Sequence, residues 1–306
     1  SSSDNTKNAM CKCGGEAMKG QLLDLFNFLR IEDMSPRDWG RALIVNLFKD
    51  GDRTDPGNFR GISLISCLGK LYFSLWAKRL TRFFEDKLSE GQGGFRPRRN
   101  TVDQVLTFHE AVLRRQRNLK PTYLYFVDFS KAFDTVWHNG LWKRLWDSGV
   151  KGKAWRILRN LYSSIELSVL LGDEQTRWVK PTQGVRQGCP LSPVLFNCFI
   201  DELSKKLEEA GYGIEIGGQI LHSLLYADDV VLFAESPERL QTLIDVVDTF
   251  CRKWHMDINL TKSQAMVIPA RKKGKCSCKC PPPPLVPWSL VHIGSQLGLP
   301  SGVHAG

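Results

Sequence analysis

The chain has 306 residues, 42% apolar and 24% charged, a composition that excludes a disordered protein and allows one large domain or two small ones. Its 42 Lys and Arg outnumber 32 Asp and Glu. The excess is uneven: 21 basic and 14 acidic side chains in residues 1–120, 16 and 18 in 121–268, and 5 and none in 269–306. A slightly acidic centre between basic flanks suits a polyanion-binding protein whose centre holds carboxylates for metal, and a solvated basic surface would read the same way.

Residues 1–19 are polar and Gly-rich and are expected to be poorly ordered. Leu22, Leu23, Leu25, Phe26 and Leu29 then form a short helical stripe, and Ala42–Phe48 reads as a strand before a turn-rich loop from Lys49 to Asn58. Helical spacing recurs in Leu68, Leu71, Leu75, Trp76 and Leu80. It returns in Val102, Val105, Leu106, His109, Val112 and Leu113 behind Asn100 as N-cap, and both stripes read as packing faces.

From residue 123 the pattern changes. Tyr123–Val127 is a buried strand ending at Asp128. Helices follow near Val136–Trp146 and Ala154–Tyr162, then a hairpin of Ile165–Leu171 with Thr176–Val179. Ser192-Pro193 opens a helix to about Ala210. Gly217-Gly218 joins a second hairpin, and Asp228-Asp229 occupies a tight turn between Ile220–Tyr226 and Val230–Phe233. A helix from Ser236-Pro237 to His255 and a strand at Ala265–Ile268 complete an α+β order, compatible with an antiparallel sheet covered by helices on one face. The basic, Cys- and Pro-rich residues 269–306 read as a disordered tail.

No stretch is apolar for the roughly 18 residues a membrane span needs, and the polar start lacks the features of a signal peptide. Nine cysteines, an odd number, fit free thiols in a reducing, intracellular setting, nuclear or cytoplasmic. Cys11, Cys13, Cys276, Cys278 and Cys280 have C-x-C spacing, which departs from that of zinc sites. What stands out is acid. Asp128 and Asp228-Asp229, if brought to one sheet edge, would repel unless a hard divalent cation neutralised them. Two such cations can activate a hydroxyl and stabilise a leaving pyrophosphate. Taken singly, each acid reads more simply as a surface or turn residue.

The strings YLYFVDFSKAFDTV (123–136), QGVRQGCPLSP (183–193) and LLYADDVVLFAES (224–236) resemble the reverse transcriptases, in particular the non-LTR (LINE-type) retrotransposon branch and its group II intron relatives. Asn58–Leu64, Gln92–Arg96 and Asn259–Ser263 resemble further motifs of that family in the same order. The resemblance implies a right-hand polymerase fold, with helical fingers over 20–120, a ferredoxin-like antiparallel palm over 121–268, and a thumb that is apparently absent. It implies an RNA-directed DNA polymerase, working on an RNA template, a DNA primer and a dNTP. Two Mg²⁺ ions (Mn²⁺ as an alternative) would be held by Asp128, Asp228 and Asp229. Phe133 would crowd the 2′-hydroxyl of the nucleotide, Gln187 and Gly188 would lie against it, and Arg60, Lys49 and Lys262 would face its phosphates. Asp134 reads as structural, at the start of a helix. Arg96, Arg98, Arg99, Arg114, Arg115 and Arg117 are the expected contacts to nucleic-acid phosphate. The competing reading is a catalytically silent, nucleic-acid-binding remnant of such an element.

Overall fold

The structure, a computed structural model, describes residues 6–270 and 286–287. In chain order its first elements are α1 (Asn8–Cys13), α2 (Gly15–Ile31), α3 (Arg37–Gly40), β1 (Arg41–Phe48), β2 (Phe59–Ile65), α4 (Cys67–Phe84), α5 (Thr101–Arg117) and β3 (Thr122–Val127). Next come α6 (Ala132–Thr135), α7 (His138–Asp147), α8 (Gly152–Ser163), β4 (Glu166–Leu171), β5 (Glu174–Gln175) and α9 (Ser192–Glu209). The last are β6 (Ile214–Ile216), β7 (Gln219–Leu221), β8 (Ser223–Tyr226), β9 (Asp229–Ala234), α10 (Pro237–Trp254), β10 (Gln264–Ile268) and β11 (Val286–Pro287). Among the described residues no helix is long and apolar enough to cross a membrane.

Two expectations about the ends need restating. Poor order is the expectation up to residue 19, and the structure instead has α1 and the start of α2 from Asn8 onward. The expected tail lies largely outside the described residues, except that Val286 and Pro287 pair antiparallel with Val267 and Met266 of β10.

The chain divides into two compact units that interleave along the sequence, residues 1–87 with 133–199 and residues 88–132 with 200–306, rather than at the contiguous boundary expected near 120. In the first unit the strand order is β2-β1-β4-β5. The Glu166–Leu171 strand belongs here. It lies parallel to β1, Arg41 opposite Glu166, instead of joining the sheet that holds Asp128. Two features select that partner. Arg41 and Arg37 both hydrogen-bond the Glu166 carboxylate. A Cβ on Gly40 would sit 2.1 Å from the Ser164 carbonyl oxygen, so only glycine lets the two chains start this close. The expected second hairpin strand, Thr176–Val179, is displaced: β5 pairs with β4 just ahead of it, at Glu174–Gln175, and Val179 makes an isolated bridge back to Leu167. Trp39, Tyr72, Phe73, Leu141, Leu158, Leu161 and Phe196 are buried in this unit.

The second unit is built on an antiparallel sheet of order β11-β10-β3-β9-β8. β3 is central, and its run of large residues is buried toward both faces. On one face Phe108 of α5 packs against Phe126 and Phe233, with ring centroids 6.3 and 5.7 Å apart. Alternation sends Tyr125 to the other face, and α10 also packs against β3 and β9. The sheet is therefore covered on both faces, not one. The α5 stripe also turns: Val102, Val105 and Leu106 are 60, 64 and 57% exposed, while Phe108, Ala111 and Val112 take the packing role.

Candidate active site

β3 ends with Val127 opposite Val230, and continuing that register sets Asp128 beside Asp229. The two acids line one cavity of about 560 Å³ with Lys262, Tyr226 and the apolar side chains of Phe126 and Val231. β8 and β9 are joined by two residues, since Tyr226 pairs directly with Asp229. Ala227 occupies the first turn position at φ +59°, where glycine is usual in such a hairpin and alanine costs about 1 kcal/mol. Asp228 follows, half-buried. Antiparallel pairing of β3 with β9 thus brings Asp128 to this turn although they are about a hundred residues apart in sequence.

Although Asp229 is exposed, partial burial against the sheet raises its carboxyl above the usual range, and the charges of Asp228 and Asp128 raise it further. Like-charge crowding of this kind is what a divalent cation relieves. No three His, Cys, Asp or Glu among the described residues are gathered tightly enough to form a ready-made ligand cage. The donors still fit Mg²⁺ in kind, because that ion takes one or two carboxylates and completes its shell with water and substrate phosphate.

The segment after α10 fixes the end of β3. The Asp128 N–H donates to the Ser263 hydroxyl at 3.0 Å, its carbonyl accepts from the Asn259 N–H at 2.8 Å, and the Ser130 N–H donates to the Asp257 carbonyl at 2.8 Å. This brings Lys262, an exposed side chain, to the cavity of the acids. Asn259 and Ser263 were not singled out by role in the sequence. Their signal is a pair of short polar side chains in a turn beside an acid.

In the first unit another set assembles. Phe133 stacks on Phe196 at 4.5 Å with the rings nearly parallel. The Gly184 and Val185 N–H groups donate to the carbonyls of Val136 and Phe133, at 2.8 and 2.7 Å, and so tie the 183–188 loop to α6. Gln187 donates its side-chain amide to the Asp134 carboxylate at 3.1 Å, so Asp134 orients Gln187 as well as belonging to α6. The Gln187 carbonyl accepts from the Ser63 N–H of β2 at 2.8 Å. Gly188, at φ +101°, lies against the Ser63 carbonyl, 3.1 Å from where a Cβ would be. Arg60 of β2 and Lys49 just beyond β1 are exposed, and the β1–β2 register puts them on one face of their hairpin.

Part of the expected basic surface is spent inside the second unit. Arg96 is buried, its guanidinium donating to the Ser89 and Gln92 carbonyls. Arg115 is buried against Glu235, Thr122 and the Pro121 carbonyl. Arg99 pairs with Glu90. A guanidinium held this way satisfies backbone carbonyls that would otherwise be orphaned, and it is withdrawn from phosphate. Arg98, Arg114 and Arg117 remain exposed.

Residues 49–287 match the family described as reverse transcriptase (RNA-dependent DNA polymerase). The chain is 31% identical over 237 residues to a retrovirus-related Pol polyprotein from a type-1 R2 retrotransposable element of Popillia japonica, covering 77% of this chain and 33% of that protein. It is 29% identical to the R2DM polyprotein of Drosophila melanogaster, covering 90% of this chain and 26% of that one. The chain thus spans a third or less of these relatives. Among solved structures, apo telomerase from Candida tropicalis, truncated from its C-terminal domain, shares the fold with a TM-score of 0.60 at 15% identity, over 85% of this chain and 56% of that one. Divalent metal ions are general to the matched family, and the stretch matched contains every motif that carried the resemblance, so the chain belongs to the reverse transcriptase family, in its non-LTR retrotransposon branch.

Proposed function

We propose that this chain catalyses RNA-templated DNA synthesis, adding a dNTP to the 3′-hydroxyl of a DNA primer. The observation that carries the proposal is the register that sets Asp128 beside Asp229, with Asp228 in the adjoining turn and Lys262 on the same cavity. In the reaction the primer 3′-hydroxyl releases its proton to water, its oxygen bonds to the α-phosphorus, the bond from that phosphorus to the oxygen bridging to the β-phosphate breaks, and pyrophosphate leaves. Two Mg²⁺ ions, when bound, would supply charge for the attacking and leaving oxygens. Asp128, Asp228 and Asp229 are the residues to hold them, and Lys262 is the cation available to the leaving phosphate charge.

In this reading the residues of the first unit keep the nucleotide roles that the resemblance assigns them. Phe133, fixed by its stack on Phe196, presents an aromatic edge that crowds a 2′-hydroxyl. Gln187 is oriented by Asp134, and Gly188, at positive φ and with the Ser63 carbonyl close to where a Cβ would lie, lets the loop that carries Gln187 sit close against β2. Arg60 and Lys49 offer charge to the triphosphate from one hairpin face. Relatives named as RNA-directed DNA polymerases of a transposon and a mobile element support RNA as the template. Primer extension by the purified chain with Mg²⁺, on matched RNA and DNA templates, tests the proposal. Extension on RNA that stops without metal is the expected result. A chain that binds primer–template and extends nothing would be the silent remnant instead.

A further inference from the structure

We infer that Gln92 is a positioning residue that sets the pose of Asp228 and Asp229 by clamping the backbone of the turn that carries them, an inference that rests on the polymerase reading above. β8 ends its sheet, so its outer edge is open to pairing. Residues 91–93 use that edge: the Leu225 N–H donates to the Gly91 carbonyl at 2.9 Å, and the Gly93 N–H donates to the Leu225 carbonyl at 2.8 Å. Past Leu225 the side chain of Gln92 takes over. Its Oε1 accepts from the Ala227 N–H at 3.0 Å and from the Gly94 N–H at 2.7 Å, and its Nε2 donates to the Ala227 carbonyl at 3.3 Å.

One primary amide therefore holds both polar groups of Ala227, the residue in the left-handed conformation immediately before Asp228. Only a side chain with donor and acceptor side by side can do this. Gln92 is 1% exposed, so water has no access to replace the bonds if they are lost. The neighbouring glycine makes the approach feasible, because a Cβ on Gly94 would lie 2.2 Å from the Ala227 nitrogen. Arg96 closes the loop by donating to the Gln92 carbonyl. Without the clamp, alanine favours negative φ, the peptide plane before Asp228 turns, and the carboxylates lose their aim.

The test compares Gln92→Met, which keeps length and loses hydrogen bonding, with the unaltered chain. Mn²⁺ affinity from electron paramagnetic resonance is expected to fall about tenfold or more, the usual cost of losing a group that orients a metal ligand. Primer extension should lose kcat, while the KM for dNTP stays within about twofold. Adding Ala227→Gly should return part of the loss, since glycine holds positive φ without strain, whereas a packing role for Gln92 would make the double variant worse. The NMR shifts of Ala227 Cα and Cβ report its φ without metal and should leave the left-handed range in Gln92→Met. Left-handed shifts that persist, or undiminished Mn²⁺ affinity, overturn the inference. If Gln92→Met does not fold, Gln92→Asn, whose amide is one methylene too short to reach both polar groups of Ala227, gives the same shift reading. Failure of the unaltered chain to extend primer would defeat the polymerase reading and leave the Ala227 shifts to decide the clamp.

Discussion

The two units position their chemistry by different means. In the second, Asp128 and Asp229 extend the register of β3 and β9, and a two-residue turn carries Asp228 between β8 and β9. Ladder hydrogen bonds fix these acids, and their spacing follows from strand geometry. In the first, Phe133, Gln187 and Gly188 stand on α6 and a loop, fixed by a ring stack, one side-chain hydrogen bond and a backbone bond to Ser63. The acid set is thus specified by pairing shared along whole strands, while the loop set depends on a few contacts each. Substitutions among the acids should destroy chemistry with little effect on fold, and substitutions in the loop should tune selectivity.

The largest effect is expected from Asp228→Asn. The change keeps the shape of the turn and removes a charge that metal needs, so primer extension should fall by at least about a thousandfold, or roughly 4 kcal/mol in the barrier. The unfolding midpoint should stay put. Residual extension near that of the unaltered chain would show that the acids on the strand ends suffice without the turn.

Gly94→Ala probes the turn from outside. The added methyl meets the Ala227 backbone, which cannot swing away as a flexible side chain would. Overpacking of this kind costs about 1–3 kcal/mol, readable as a lower denaturant midpoint at unchanged slope. A midpoint equal to that of the unaltered chain would mean that the 91–94 segment yields easily.

How much of this was legible in the sequence follows the same division. The run Tyr123–Val127 and the apolar runs around Asp228-Asp229 are short and rich in aromatic, aliphatic and β-branched residues, so both strands and the turn could be read locally. The partner of Glu166–Leu171 could not, because alternation identifies a strand and says nothing of its neighbour. Gly40 and the Arg41–Glu166 pair, which select β1, become meaningful only in three dimensions. Charge counts likewise could not separate Arg96 and Arg115, folded onto carbonyls, from exposed Arg98. Gln92 carried a weak signal: glycines at 91, 93 and 94 mark a backbone that something approaches closely.

Phe133→Ala tests the loop set. Loss of the ring should raise incorporation of ribonucleotides relative to deoxyribonucleotides by about tenfold, equivalent to ~1.4 kcal/mol of discrimination. The lost stack on Phe196 adds a stability cost of about 0.5–1.5 kcal/mol beyond buried area. Equal loss of both activities, with the stability cost alone, would assign Phe133 to packing and make the two units more alike than proposed.

The smallest effect concerns the charge crowding on Asp229. Burial, then Asp228 and Asp128, raise its carboxyl in the folded chain above the unfolded value. As pH rises through the ordinary aspartate range the unfolded chain loses its proton first, so the folded state loses stability until its own raised carboxyl has ionised. Near neutral pH the unaltered chain therefore carries a penalty that Asp229→Asn lacks. Because Asp229 is exposed, solvent screens much of it, and the variant should melt higher by only on the order of 1 °C. The gap should close below the ordinary aspartate range, where both states are protonated. Mg²⁺ at neutral pH should narrow it too, by stabilising the unaltered chain more than the variant. Melting curves across pH, with and without Mg²⁺, measure both trends. A variant that melts lower at neutral pH would show that Asp229 is stabilised by its surroundings, and the acids would then be a satisfied network with no call for a cation.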